Sequence, residues 1–146
     1  MSDGLNNKVG IVILNYNNAR MTLTCIRSVL LHNSFPAKYV VIDNASTDDS
    51  VEFLDNELAA IFGNGYCSLS EEVASEFARP YSCILLKSSH NGGYAKGNNI
   101  GLYFLEKDDD IDSILILNND ILFVDDIIPK LKTFLDINVD AGIASP

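Results

Sequence analysis

Val9-Gly10-Ile11-Val12-Ile13-Leu14 runs without a polar break into Asn15-Tyr16-Asn17-Asn18. An aliphatic, β-branched run with no polar alternation belongs to a strand buried on both faces, as in the centre of a parallel sheet. Working outward, Met21, Cys25 and Val29, with Thr22, Ile26 and Leu30, recur at helical spacing after Asn17 or Asn18 as N-cap. Asn33 and Pro36 end that helix. Residues 39–42 give a second strand closing on Asp43-Asn44-Ala45-Ser46-Thr47-Asp48. A second helix follows, with Val51, Leu54, Leu58 and Ile61 inward and Gly63 as its stop.

The β-α-β-α order continues. Ser68 and Glu71 have capping-box spacing and predict a short helix carrying Val73, Ala74 and Phe77. Residues 84–86 form a third strand, leading through His90-Asn91-Gly92-Gly93 into a helix over 94–106. Residues 114–117 form a fourth strand ending at Asn118-Asn119-Asp120. A last helix is expected from Asp125-Asp126, with Pro129 in its first turn and Leu131, Phe134 and Leu135 inward, and residues 142–144 would begin a fifth strand. Strands alternating with helices imply βαβ crossovers, so residues 1–146 read as a single α/β domain: a three-layer, Rossmann-like parallel sheet.

Composition narrows the function classes. The 146 residues are 47% hydrophobic and 21% charged, enough for a core burying roughly 68–70% of the unfolded surface. Ten basic against twenty acidic residues leave a net charge of −10 with no Lys/Arg cluster, which argues against nucleic acid or an anionic membrane as partner. Cys25, Cys67 and Cys83 have neither CxxC spacing nor neighbouring His, so a disulfide framework or zinc site is not expected. Residues 1–8 are polar, with no leader-like apolar segment after them and no run long enough to span a membrane; a reducing cytoplasm is the expected compartment.

In open α/β sheets ligands bind at the carboxyl ends of the strands, where loops converge and helix N-termini present N–H groups. Those ends hold Asn15-Tyr16-Asn17-Asn18, residues 43–48, residues 91–99 and Asn118-Asn119-Asp120, all rich in Asn, Asp or Gly. The same residue types dominate turns and caps for conformational reasons: Asn17 and Asn18 fit caps as well as ligand contacts, and Asp48 and Asp49 read as N-terminal caps rather than catalytic acids. Asp43 differs, because a carboxylate ending a buried strand needs hydrogen-bond partners. Tyr16 and Tyr94 fit either core packing or stacking on a planar base. Asn98-Asn99 stand where a P-loop has Lys-Ser/Thr, and GxGxxG is absent. Asp108, Asp110 and Asp112 alternate like an EF-hand loop, but Ser113 replaces its glycine and Asn119 its closing Glu, so they read as a solvated turn. His32 reads as structural, and His90 borders the Gly-rich loop.

Four pieces in this order resemble the family-2 inverting glycosyltransferases of GT-A fold, particularly their bacterial rhamnosyltransferase-like branch. They are residues 11–17, 41–50, 91–101 and 115–120, and the resemblance covers 9–146 apart from 63–80. It implies transfer of a sugar from a UDP- or dTDP-sugar to the hydroxyl of a saccharide or lipid-linked acceptor, with Mg²⁺ or Mn²⁺, in cell-surface polysaccharide biosynthesis. Asn15, Tyr16 and Asn17 would line the base pocket, Asp43 would bind the pyrimidine edge, and Asn44 and Ser46 would shape that loop. Asn91, Gly92, Gly93, Gly97 and Asn98 would face the ribose and diphosphate. Asn118-Asn119-Asp120 occupies the DxD position, with Asp120 as metal ligand and Asn118 in place of the first carboxylate. The resemblance further implies a general base beyond Pro146, making this chain a donor-binding half that binds nucleotide without transferring sugar. The alternatives are a non-catalytic nucleotide- or metal-binding module and, more distantly, a response-regulator-like or phosphatase-like domain, which would need a carboxylate nucleophile where Asn15 stands.

Overall fold

The computed structural model describes residues 8–73 and 80–146. Its elements are β1 (Lys8–Asn15), α1 (Ala19–His32), β2 (Ala37–Asp43), α2 (Ser50–Phe62), β3 (Tyr66–Ser70), β4 (Cys83–Lys87), α3 (Gly93–Leu105), β5 (Ile111–Leu117) and α4 (Ile128–Ile137). The strands form one sheet in the order β3-β4-β2-β1-β5. Every pairing is parallel. The carboxyl ends of β1 and β2 finish together, Asn15 opposite Asp43, which puts the two polar loops side by side.

Alternation along the central strands sorts their residues to two faces. Ile11 and Ile13 join Val41, Leu85, Leu23, Ile26, Leu54 and Leu58 on the face covered by α1 and α2. Val12 joins Val40, Ile42, Ile84, Phe104 and Leu105 on the face covered by α3. Three layers result, as the sequence predicts. Gly97 and Gly101, one turn apart, let α3 approach the sheet closely: a Cβ on Gly97 would lie 2.5 Å from Leu14 Cδ1, and one on Gly101 would lie 2.8 Å from both Ile42 Cδ1 and Val12 Cγ1. Gly101→Ala should therefore destabilise the fold by about 1–3 kcal/mol through overpacking, even though Ala is the better helix former. Urea unfolding measures this, and an unchanged or raised stability would show that α3 has room to shift.

Several expectations are corrected. The helix predicted around 68–77 does not begin at Ser68: residues 66–70 are β3, paired parallel with β4 from Tyr66↔Cys83 to Ser70↔Lys87. The open edge of β4 outweighs the capping-box pattern. Glu71 turns back to accept hydrogen bonds from the hydroxyls of Ser88 at 2.8 Å and Ser89 at 3.0 Å. Ala74 and Phe77 lie outside the described residues. Residues 84–86 thus belong to the fourth strand and 114–117 to the fifth, while 142–144 form no strand. The last helix starts at Ile128, with Pro129 in its first turn. Asp125 instead pairs with Lys130, and Asp126 accepts from the Ser34 hydroxyl at 2.5 Å. Met21, Leu30 and Phe134 are exposed, and Leu23 takes the inward place on α1. Asp108 is no solvated turn: it is buried in an ion pair with Lys38, whose ammonium lies 5.9 Å from the centre of the Phe104 ring.

Candidate functional site

The carboxyl end of the sheet begins with a network buried under the loops. Asn15 is fully buried; its Nδ2 donates to Asp43 Oδ1 at 2.9 Å and to Ser46 Oγ at 3.2 Å. Ser46 donates its hydroxyl to Asp43 Oδ1 at 2.6 Å and its backbone N–H to Asp43 Oδ2 at 2.9 Å. The buried Asp43 carboxylate therefore has the partners its position demands. This local turn holds Ala45 at φ 58°, and across from it Asn17 turns the first loop at φ 50°. Asn17 N–H donates to Ser46 Oγ at 2.9 Å, and Asn17 Oδ1 accepts from Thr47 N–H at 2.7 Å, so the two loops are sewn into one surface.

Asn44 makes the next link. Its Nδ2 donates to Asn91 Oδ1 at 2.9 Å, its Oδ1 accepts from Gly92 N–H at 3.3 Å, and Asn91 Oδ1 also accepts from Gly93 N–H at 2.9 Å. Gly93, at φ 81°, opens α3 and places Tyr94, whose hydroxyl donates to Asn118 Oδ1 at 2.8 Å. Gly97 and Asn98, expected to face a ligand, are instead buried in the packing of α3, and Asn98 Nδ2 donates to Tyr94 O at 3.0 Å. Lys96 lies against His90, with Nζ 2.6 Å from Nε2.

A cleft of about 320 Å³ opens between these loops, lined by Leu14, Tyr16, Asn18, Tyr94, Asn118, Asn119 and Asp120. Tyr16 and Tyr94 are both exposed, which settles the sequence alternative against core packing and leaves two aromatic faces for a planar group. Among the described residues Asp120 is the only carboxylate of the lining, and no Lys or Arg lines it. Beneath Asp120, Cys25 directs its Sγ toward Asn118 O at 3.7 Å. Burial, then the Asp120 charge, pushes its thiol up to about 11, so Cys25 stays a neutral packing group. Among the described residues no three His, Cys, Asp or Glu side chains gather to hold a metal. The donors beside Asp120 are nevertheless amide and carboxylate oxygens, the hard set that suits Mg²⁺ or Mn²⁺, and the remaining positions of an octahedral shell would fall to water and phosphate oxygens.

One residue of the site escaped the sequence reading. Thr22 is fully buried at the start of α1, where it donates to Asn15 Oδ1 at 2.8 Å and accepts from Asn119 Nδ2 at 3.0 Å. Its place on an apolar helix face hid it; the signal was one hydroxyl in that stripe, a turn after the Asn-rich loop.

Residues 10–145 match Glycosyl transferase family 2, and the chain belongs to that family. No curated relative matches it. Among solved structures it is similar to S. aureus TarS 1–349 in complex with UDP-GlcNAc, with a TM-score of 0.60 and 16% identity over 95% of this chain and 37% of that one. It is also similar to the mannosyltransferase PcManGT from Pyrobaculum calidifontis in complex with GDP-Man and Mn²⁺, with a TM-score of 0.57 and 16% identity over 82% of this chain and 29% of that one. At such identities the likeness carries the fold, a GT-A-type α/β sheet. The chain spans well under half the length of these structures.

Proposed function

We propose that this chain is the donor-binding part, a single α/β domain, of a glycosyltransferase of the rhamnosyltransferase-like branch that takes a UDP- or dTDP-sugar. The observation that carries the reading is the cleft at the sheet's carboxyl end, where two exposed tyrosines face Asn118-Asn119-Asp120. Support also comes from neighbours holding UDP-GlcNAc, and GDP-Man with Mn²⁺, on this fold. In this reading the base stacks on Tyr16 beside Asn17, the fully buried Asn15 acts through its hydrogen bond to Asp43, and the base N3–H meets Asp43 Oδ2, whose described partner is the Ser46 N–H. Asn44, Ser46, Asn91, Gly92 and Gly93 hold the loop surface under the ribose and diphosphate. Gly97 and Asn98 act through the packing of α3.

Asp120, with the Asn118 and Asn119 amides beside it, would hold Mg²⁺ or Mn²⁺, which when bound neutralises charge on the diphosphate leaving group. In the transfer, an acceptor hydroxyl oxygen bonds to the anomeric carbon, the bond from that carbon to the diphosphate oxygen breaks, and a base takes the hydroxyl proton. Among the described residues Asp120 is the one carboxylate lining the cleft, and in this reading it is committed to the metal, so the base is assigned to another part of the enzyme. The residues at hand bind and orient the donor. The acceptor would be a saccharide or lipid-linked hydroxyl in cytoplasmic assembly of a surface polysaccharide.

A thermal-shift panel of UDP-, dTDP- and GDP-sugars with and without Mn²⁺ tests this. A pyrimidine nucleotide at a hundred times its Kd should stabilise the chain by about 2.7 kcal/mol. Equal melting temperatures across the panel would contradict the reading.

A further inference from the structure

We propose that Thr22 is a positioning residue that couples the buried Asn15–Asp43 network to the cleft, by fixing which way the Asn119 amide points beside Asp120. The inference rests on the donor-binding reading above and extends it to a residue that touches no ligand. Its starting point is the Asp43 carboxylate, which only accepts hydrogen bonds. Asn15 must therefore turn its NH₂ toward Asp43, as seen at 2.9 Å, and its Oδ1 toward Thr22. That oxygen takes the one proton of the Thr22 hydroxyl, at 2.8 Å, shorter than the alternative 3.2 Å to Asn18 O. The Thr22 oxygen is left as acceptor, so Asn119 must present Nδ2, as it does at 3.0 Å. Its Oδ1 is then free to face a ligand, in a residue that lines the cleft next to Asp120.

Every donor in the chain Asn119, Thr22, Asn15 points toward the Asp43 charge, so each bond polarises the next. The ends of this relay are far apart in sequence: Thr22 and Asn119 are separated by 97 positions, and Asn15 and Asp43 by 28. In space, three side chains connect the loop under the nucleobase to the loop under the metal. Nucleotide held at Asp43 and metal held at Asp120 thus bias the same rigid element, the condition for coupling between sites.

The test compares the chain with Thr22→Val, which keeps shape and loses both hydrogen bonds, and Thr22→Ser, which keeps the hydroxyl. UDP affinity is measured by titration calorimetry with Mn²⁺ and with EDTA, after circular dichroism confirms folding. The parent and Thr22→Ser should show the same several-fold gain in UDP affinity from Mn²⁺, and Thr22→Val should lose most of that gain. Should Thr22→Val fail to fold, Asn119→Ala on the exposed side of the relay should show the same loss. An undiminished gain in folded Thr22→Val or in Asn119→Ala overturns the proposal, as does equal loss in Thr22→Ser. A parent that binds no UDP under either condition overturns the donor-site reading itself, and the coupling with it.

Discussion

Asp120→Asn should abolish the gain in UDP affinity that Mn²⁺ brings to this chain. The parent carries a net charge of −10, and among the described residues no Lys or Arg lines the cleft. A diphosphate entering it meets a negative field that Lys96, engaged with His90, is poorly placed to relieve. A divalent cation supplies the missing charge, while one carboxylate is too few ligands to hold it strongly without phosphate oxygens. Each ligand completes the other's site, so reciprocity requires Mn²⁺ to tighten UDP by the factor by which UDP tightens Mn²⁺, typically about 5- to 150-fold. Asn at position 120 keeps an oxygen and loses the charge. Calorimetric titration of the variant with and without Mn²⁺ should then give one UDP affinity, and a factor equal to the parent's would remove Asp120 from the metal role.

The largest expected effect on stability lies at the other end of the sheet. Lys38→Ala should cost about 3–5 kcal/mol, because it removes a cationic partner of a carboxylate buried to 5% exposure. Chemical denaturation with urea reads this directly. A loss below about 1 kcal/mol, the size of a surface ion pair, would mean that water reaches Asp108 in the folded chain.

That pair also shows what the sequence could and could not tell. Asp108, Asp110 and Asp112 share a charge and a spacing, so a one-dimensional reading treats them alike. Asp108 meets Lys38, 70 positions away, and sinks with it. The central strands were legible because residues 9–14 and 39–42 carry an apolar run that only a doubly covered strand satisfies. Edge strand β3 was not, since an edge tolerates polar residues such as Ser68 and Ser70, and a local capping pattern then outweighs the pairing that decides the matter.

The same division holds at the site. Asn15, Asp43, Asn44 and Ser46 were readable as a group because each ends or follows a buried strand, and the structure joins them through hydrogen bonds, Asn44 by its backbone N–H to Asn15 O. Gly97 and Asn98 fell into the ligand set because they share a Gly/Asn-rich stretch with Gly92 and Gly93, yet both are buried on α3, Gly97 against Leu14 of the sheet. Thr22 stayed hidden because its side-chain partners come from two loops far apart in sequence, Asn15 and Asn18 on one and Asn119 on the other.

The most direct test of the account is the calorimetric titration of UDP into this chain with Mn²⁺ present and again with EDTA. Saturable one-to-one binding that weakens at least five-fold on metal removal is the predicted result. No binding in either condition, or the same affinity in both, would contradict the claim that this cleft holds the nucleotide and metal of a glycosyl donor.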